Sequence, residues 1–459
     1  MHTSANRPKC LHAAGLMFGL SFVANVAAQS GAATPLERQT EEAFRQVQQQ
    51  PQDLSGWSAY SRLLIEGGNY EGAIAALERL LLEPNANPAI RVQIAQMYFR
   101  LGSYQAAETT AREALADDKL PNDQREAAQN LAVLAAKRNQ TNQLSGAIIL
   151  GFRKQTNPTY RTNNTQVLAG GVLVAQPAGL NPQADTDVSA GLSLQHVFDL
   201  GAQNSASIVS GFNAYLVNYR SAAGSQLVAN PTKPYDLQLL DLNTGLRFKP
   251  LPGAVDGLTV RPHLLVSTVV AQGNAYFSSK GLGVDVNWQP DEKTFYEFTL
   301  DTQRRDFANR IDVSTANLIS GSLGGLRIRA RREVAPGQRV VGEYAFRRSS
   351  TARAFYDYTS QELRGTYSIS YASPSKNGSY WTSAVWVGAL QRNYRAADPA
   401  VSATTSRRDN EWRVGFSQNV PIIPAWAMTA NLEHSRNQPN LPNFQYKNTS
   451  LSVTVAYSF

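Results

Sequence analysis

The side chains best suited to proton transfer or metal binding are few and scattered. Outside the first residues of the chain, His196, His263 and His434 stand far apart with no metal-ligand spacing. Glu433, His434 and Ser435 are neighbours, but adjacent side chains of a strand point to opposite faces, so no triad follows. No Gly-x-Ser-x-Gly elbow and no phosphate-binding loop occurs. The sequence therefore supplies no catalytic residue, no metal site and no cofactor site. A hydrolase would have to rest on His434. The chemistry that does repeat is charge: Arg305, Arg327, Arg329, Arg339, Arg347, Arg364 and Arg413 alternate with Glu297, Asp301, Glu343, Glu362, Glu411 and Glu433.

These charges sit on segments that alternate in polarity, and the last segment sets the pattern. Leu451, Val453, Val455, Tyr457 and Phe459 interleave with Ser452, Thr454, Ala456 and Ser458, giving the two faces of a strand. Such dyads recur after Leu144, for example over Leu282–Gln289, Tyr296–Asp301, Leu363–Tyr371, Trp412–Phe416 and Trp426–Leu432. About fourteen segments can be counted, many near the ~10 residues of a membrane barrel strand. Their centres are near Ile149, Leu192, Phe212, Leu242, Leu264, Val284, Phe298, Gly324, Tyr344, Tyr367, Trp386, Val414, Ala430 and Val453. Tight connections are expected at 201–204, 290–292, 373–378 and 421–424, and longer ones at 154–185, 221–235 and 397–406. One connection on the long-loop side, near Gln272 and Gly273, is unexpectedly short. If the apolar phase meets lipid, the arginines Arg305, Arg327, Arg329, Arg347, Arg364 and Arg413 line the lumen, because an Arg at the lipid midplane costs about 2 to 4 kcal/mol. There they form either an ion-pair ladder that props the wall or a basic lining that favours acidic or polar polymers.

The amino-terminal part is read differently. Arg7 and Lys9 precede an apolar run from Leu11 to Val26 and the small residues Ala27 and Ala28, the layout of a secretory leader cut after about Ala28. Cys10, the sole cysteine of the 459 residues, falls inside it, so the mature chain is expected to be thiol-free. No later stretch approaches the ~20 apolar residues of a spanning helix. The formal charge is 43 − 35 = +8. No nucleic-acid partner is expected.

Between Pro35 and Lys137 the chain is rich in Ala, Leu, Glu, Gln and Arg, and it repeats. Gly68, Tyr70 and Ala73 recur as Gly102, Tyr104 and Ala107 at the 34-residue tetratricopeptide period. With Trp57 in the first unit and Tyr98 and Ala114 in the second, the stretch resembles the tetratricopeptide family. Pro84 comes one residue early for the usual inter-repeat proline. The resemblance implies a concave groove bearing Arg62, Gln96, Phe99 and Arg100, able to hold an extended peptide or a partner helix. Solvated surface is the other reading of those four residues. A last helix is expected from Pro121 and Asn122 to Lys137.

The expected architecture is α plus β in two domains. Residues 1–28 are a signal peptide, 35–138 a periplasmic tetratricopeptide α-solenoid, and 144–459 a transmembrane antiparallel β-barrel of about 14 strands. That combination resembles the Slam family, the surface lipoprotein assembly modulators. The resemblance implies a non-enzymatic outer-membrane translocator that exports surface lipoproteins or hemophore-like proteins, with the helical domain receiving the client in the periplasm. It also implies contact with outer-membrane lipid and with the barrel-assembly machinery, which reads the closing strand at Tyr457 and Phe459. A folded client is wider than the lumen, so passage needs an unfolded client or an opening of the seam between the first strand and the last. A polysaccharide-export porin with tetratricopeptide helices is the alternative; such proteins resemble longer repeat arrays.

Overall fold

The computed structural model describes residues 35–83, 86–176, 181–202, 205–221, 236–251, 255, 257–309, 315–374 and 378–459. The leader, Pro84 and most of the expected 221–235 loop lie outside the described residues. The chain divides into two compact units, 1–139 and 140–459.

Among its described residues the first unit has six helices: α1 Pro35–Gln49, α2 Leu54–Glu66, α3 Tyr70–Leu81, α4 Ala89–Arg100, α5 Tyr104–Leu115 and α6 Asn122–Arg138. Helices α2/α3 and α4/α5 are the two repeats. Each turns at a glycine, Gly68 or Gly102, with φ +75°, a left-handed backbone that glycine adopts without penalty. Alanines at the helix crossings are fully buried, Ala73, Ala95, Ala107, Ala111 and Ala128 among them, which lets the axes approach. Ile74, Leu77, Leu80, Ile94 and Met97 fill the space between the repeats, flanked by Trp57, Tyr70 and Tyr98. Leu77 is 2% exposed, so Leu77→Ala is expected to cost this unit about 2 to 5 kcal/mol. Thermal loss of the helical dichroism signal measures it; an unchanged midpoint would show that the repeats are held together elsewhere.

The second unit is a closed antiparallel barrel of fourteen strands in which each barrel strand pairs with the next along the chain and the last pairs with the first. The strands are β1 Asn142–Gln155, β4 Asp185–Asp199, β5 Ser207–Tyr219, β6 Leu237–Arg247, β7 Leu258–Ala271, β8 Asn274–Trp288 and β9 Thr294–Phe307, then β10 Gly321–Ala335, β11 Gln338–Thr351, β12 Tyr358–Ala372, β13 Tyr380–Ala397, β14 Ser406–Ile423, β15 Trp426–Asn437 and β16 Tyr446–Ser458. The two short strands β2 Gln166–Ala169 and β3 Val172–Ala175 form a separate hairpin inside the first long loop. Gly170-Gly171 is the turn that closes the hairpin, both residues at positive φ. The short Gln272–Gly273 connection is explained the same way: both residues have positive φ, as a two-residue hairpin turn requires. The expected turn at 421–424 is corrected. Strand β14 runs on through Pro421 to Ile423, and its register shifts between Pro421 and Ile423, an irregularity that accommodates the missing N–H.

Register separates the two faces without ambiguity. Leu150, Leu240, Leu264, Leu282, Leu300, Leu363, Val387, Leu432 and Leu451 all point outward and are 45% to 62% exposed. So much apolar surface around a closed ring belongs against hydrocarbon, as in an outer-membrane barrel. Near the end with the shorter turns the outward phase carries Trp288, Tyr296, Tyr371, Trp381, Trp426 and Tyr457, a girdle of rings at the depth of an interface. Among the described residues no helix is long and apolar enough to cross a membrane.

Candidate functional site: a charged lumen, its seam and a helical groove

The inward phase carries the charge, and much of it is spent on the wall. Arg327 donates to Glu297 at 3.1 Å and Arg329 to Glu343 at 2.9 Å. Arg413 donates to Glu411 at 2.6 Å and Arg407 to Asp409 at 2.8 Å. Towards the short-turn end, Asp285 is a hub: it accepts from Arg261 at 2.8 Å and from Thr299 at 2.9 Å, and its carboxylate lies 3.4 Å from Nδ1 of His263. A cavity of about 520 Å³ opens over this cluster, lined also by Asp241, Arg247 and Arg327. Asp285→Ala would strand Arg261 and Thr299 without their acceptor, and about 1 to 3 kcal/mol of barrel stability should go with it. Urea unfolding in lipid vesicles reads that loss, and no change would mean water already screens the cluster.

Of the lumen residues picked out in the sequence, Arg305, Arg327, Arg329, Arg347, Arg364 and Arg413 all occupy the inward phase. They are not one cluster. Arg327, Arg329 and Arg413 are ion-paired. Arg305 donates to Ser349 at 2.7 Å, Arg347 lies along the open face of Gly325, and Arg364 stacks on Trp386 at 4.0 Å. Trp386 lies flat on Gly415, where any Cβ would collide with the indole. His434 faces outward beside Trp412, bonded to Thr449, and His196 faces outward near Asn142. Among the described residues no group of His, Cys, Asp or Glu could hold a metal ion.

The first long loop lies where the sequence places it, between 154 and 185, but its path carries no sequence signal. Its start dips into the lumen: Asn157 is 1% exposed and bonds Asn448, Arg161 and Lys447, while Thr162 donates to Pro442. The bend carries Tyr160, at positive φ, to within 5.0 Å of the Tyr446 ring and within reach of the charges of Arg413, Glu433 and Glu411. Tyr160 is nonetheless 51% exposed, as a residue in a wet lumen would be. The hairpin beyond it is tied to other loops by Gly170 and Gly171 donating to Ala400 and Val401, and by Leu168 to Asn443.

The seam between β1 and β16 is registered over nine residue pairs, against fourteen between β1 and β4. At the long-loop end it is fastened by side chains. Asn448 accepts from the Asn157 N–H and donates to Gln155, and Thr156 donates to the Thr449 carbonyl. At the other end the last link is the exchange of two backbone bonds between Gly146 and Phe459, at 2.9 and 3.0 Å. The Phe459 ring covers Gly146, with Tyr457 and Trp426 stacked behind it.

In the helical unit, Arg62, Gln96 and Arg100 are exposed and Phe99 is half-buried. Arg100 donates to Tyr70 at 2.8 Å, and Phe99 packs edge-on against Tyr104. Burial, and the Glu78 carboxylate beside it, push the Tyr98 phenol up. Residues 64–132 match the tetratricopeptide repeat family model. No curated protein matches the chain. Among solved structures it is similar to an outer membrane channel from Pseudomonas putida F1, at 13% identity and TM-score 0.35, covering 68% of this chain and 96% of that one. It is also similar to an anion-selective porin from Comamonas acidovorans, at 10% and 0.34, covering 69% and 99%. A bacterial polysaccharide outer membrane secretin is similar at 9% and 0.34, covering 69% and 98%. The tetratricopeptide period carries one step further than the sequence signal did: α6 begins 34 residues after position 88, where the first helix of a third unit belongs. Counting by 34 puts Asn130 in line with Arg62 and Gln96, and Val133 in line with Phe99. Val133 and its neighbour Leu134 are 63% and 52% exposed. This third unit has no Gly or Tyr to announce it.

Proposed function

We propose that this chain is an outer-membrane translocator that moves a lipoprotein or hemophore-like protein to the cell surface, its tetratricopeptide unit receiving the client in the periplasm. The observation that carries this reading is the presence in one chain of a barrel with a charged inward face and a tetratricopeptide unit. A passive pore for small solutes has no evident need of a helical unit exposing Arg62, Gln96 and Val133 beside a half-buried Phe99. The chain enters the barrel at its short-turn end through Asn142.

Size sets the route. Fourteen strands about 4.8 Å apart and tilted by about 40° enclose a backbone cylinder roughly 28 Å across, before any side chain is counted. A folded domain of about 100 residues has a radius of gyration near 13 Å and so spans roughly 34 Å. With Tyr160 and the arginines projecting inward, the client crosses as an extended chain or the seam opens. Co-expression with a neighbouring gene's lipoprotein, followed by protease shaving of intact cells, tests the export itself. Surface exposure should rise over a strain lacking the barrel; no rise sinks the reading.

A further inference from the structure

Four lumen arginines are backed by aromatic rings and ascend the wall. Arg331 lies over Phe295 at 4.9 Å, Arg364 over Trp386 at 4.0 Å, Arg392 over Tyr358 at 4.9 Å, and Arg407 between Tyr394 and Phe444 at 4.8 and 3.6 Å. They stand on β10, β12, β13 and β14, each nearer the long-loop end than the one before. Strand spacings of ~4.8 Å and rises of ~3.3 Å per residue put successive Cα atoms roughly 8 to 14 Å apart. Among the described residues Arg331, Arg364 and Arg392 have no ion pair, and Nε of Arg392 is buried without a partner. Three nearby acids are engaged: Glu343 by Arg329, Asp409 by Arg407 and Glu411 by Arg413.

We propose that this staircase is a carboxylate-binding track that holds an acidic, extended polypeptide segment in the lumen. The proposal deepens the export reading and rests on it for the source of the polypeptide. Each ring fixes the plane of its guanidinium; Arg407 is already held by Asp409, whereas Arg331, Arg364 and Arg392, which have no ion pair, can turn toward a carboxylate and take it in a fork of two bonds. A peptide is favoured over an acidic polysaccharide because the ring faces are already occupied. Arg364 covers one face of Trp386 and the Gly415 backbone the other, leaving no surface on which a sugar ring could stack. An extended peptide also presents same-face carboxylates at ~7 Å and ~14 Å, within the reach of flexible arginines on these steps.

The test is fluorescence anisotropy of the purified full-length protein in detergent with a labelled deca-glutamate, against deca-lysine and an oligouronate of equal length. Deca-glutamate should bind, deca-lysine should not, and Arg364→Gln or Arg392→Gln should each weaken binding about tenfold, the worth of one charge-assisted contact. Arg364→Lys should weaken it less than Arg364→Gln. Heat-modifiable migration on gels establishes that each variant is folded. For any that is not, wild-type tryptophan emission should shift on adding deca-glutamate and that shift should vanish in Trp386→Phe. Equal binding of both peptides, indifference to the substitutions, or tighter binding of the oligouronate overturns the proposal. Surface export in cells is scored separately, so a chain that exports its client yet ignores deca-glutamate refutes the track and spares the translocator.

Discussion

Leu300→Arg is expected to cost the barrel about 2 to 4 kcal/mol, whereas Ala345→Arg, pointing the other way, should cost under about 1 kcal/mol. Leu300 is at the middle of β9, 61% exposed on the outward phase, with Leu326 beside it in register. In hydrocarbon the new guanidinium finds neither water nor a counter-ion. Ala345 lies between Arg327 and Glu362 on the inward phase, where water and a carboxylate are at hand. Unfolding by urea from lipid vesicles measures both. Equal losses would mean that the two faces have been assigned the wrong way round, and the lumen, the track and the translocator would fall together.

That assignment was legible because a strand's side-chain period is two, and one slip of register would invert every residue. Fourteen alternating segments and a final aromatic strand are local facts, and the closed ring follows from them. What the sequence withheld are contacts with no local signature. Tyr160 reaches the lumen only because Asn157 and Thr162 bond to Asn448 and Pro442, some 280 to 291 residues away. Trp386 is apolar, and periodicity alone sends apolar side chains of such a strand to lipid. It stays inside because Gly415, two strands from Arg364, leaves a slot the width of an indole. The third helical unit was hidden for the opposite reason: its packing needs only the small Ala128, Ala132 and Ala135, and alanines do not mark a repeat.

Opening of the seam would have to part β1 from β16. Ile149 and Ala456 face each other across β1 and β16. The bonds of Gly146 to Phe459 put even-numbered residues of β1 in the hydrogen-bonded pairs, so Ile149 and Ala456 form the closer, non-bonded kind. Such pairs have Cα atoms about 4.5 Å apart, at the short end of what a disulfide spans. With Cys10, the sole cysteine, replaced by Ser, Ile149→Cys with Ala456→Cys should therefore cross-link on oxidation without distorting the wall. If the client leaves through the seam, oxidised cells should stop displaying it and reductant should restore display. The wall should part first at the short-turn end, where Gly146 and Phe459 are the last link, because Asn157, Gln155 and Asn448 fasten the other. A second pair placed there, Ala147→Cys with Ser458→Cys, should then block as completely as the first. Undiminished display from a fully cross-linked barrel would exclude the seam and send the client, unfolded, past Tyr160 through the lumen.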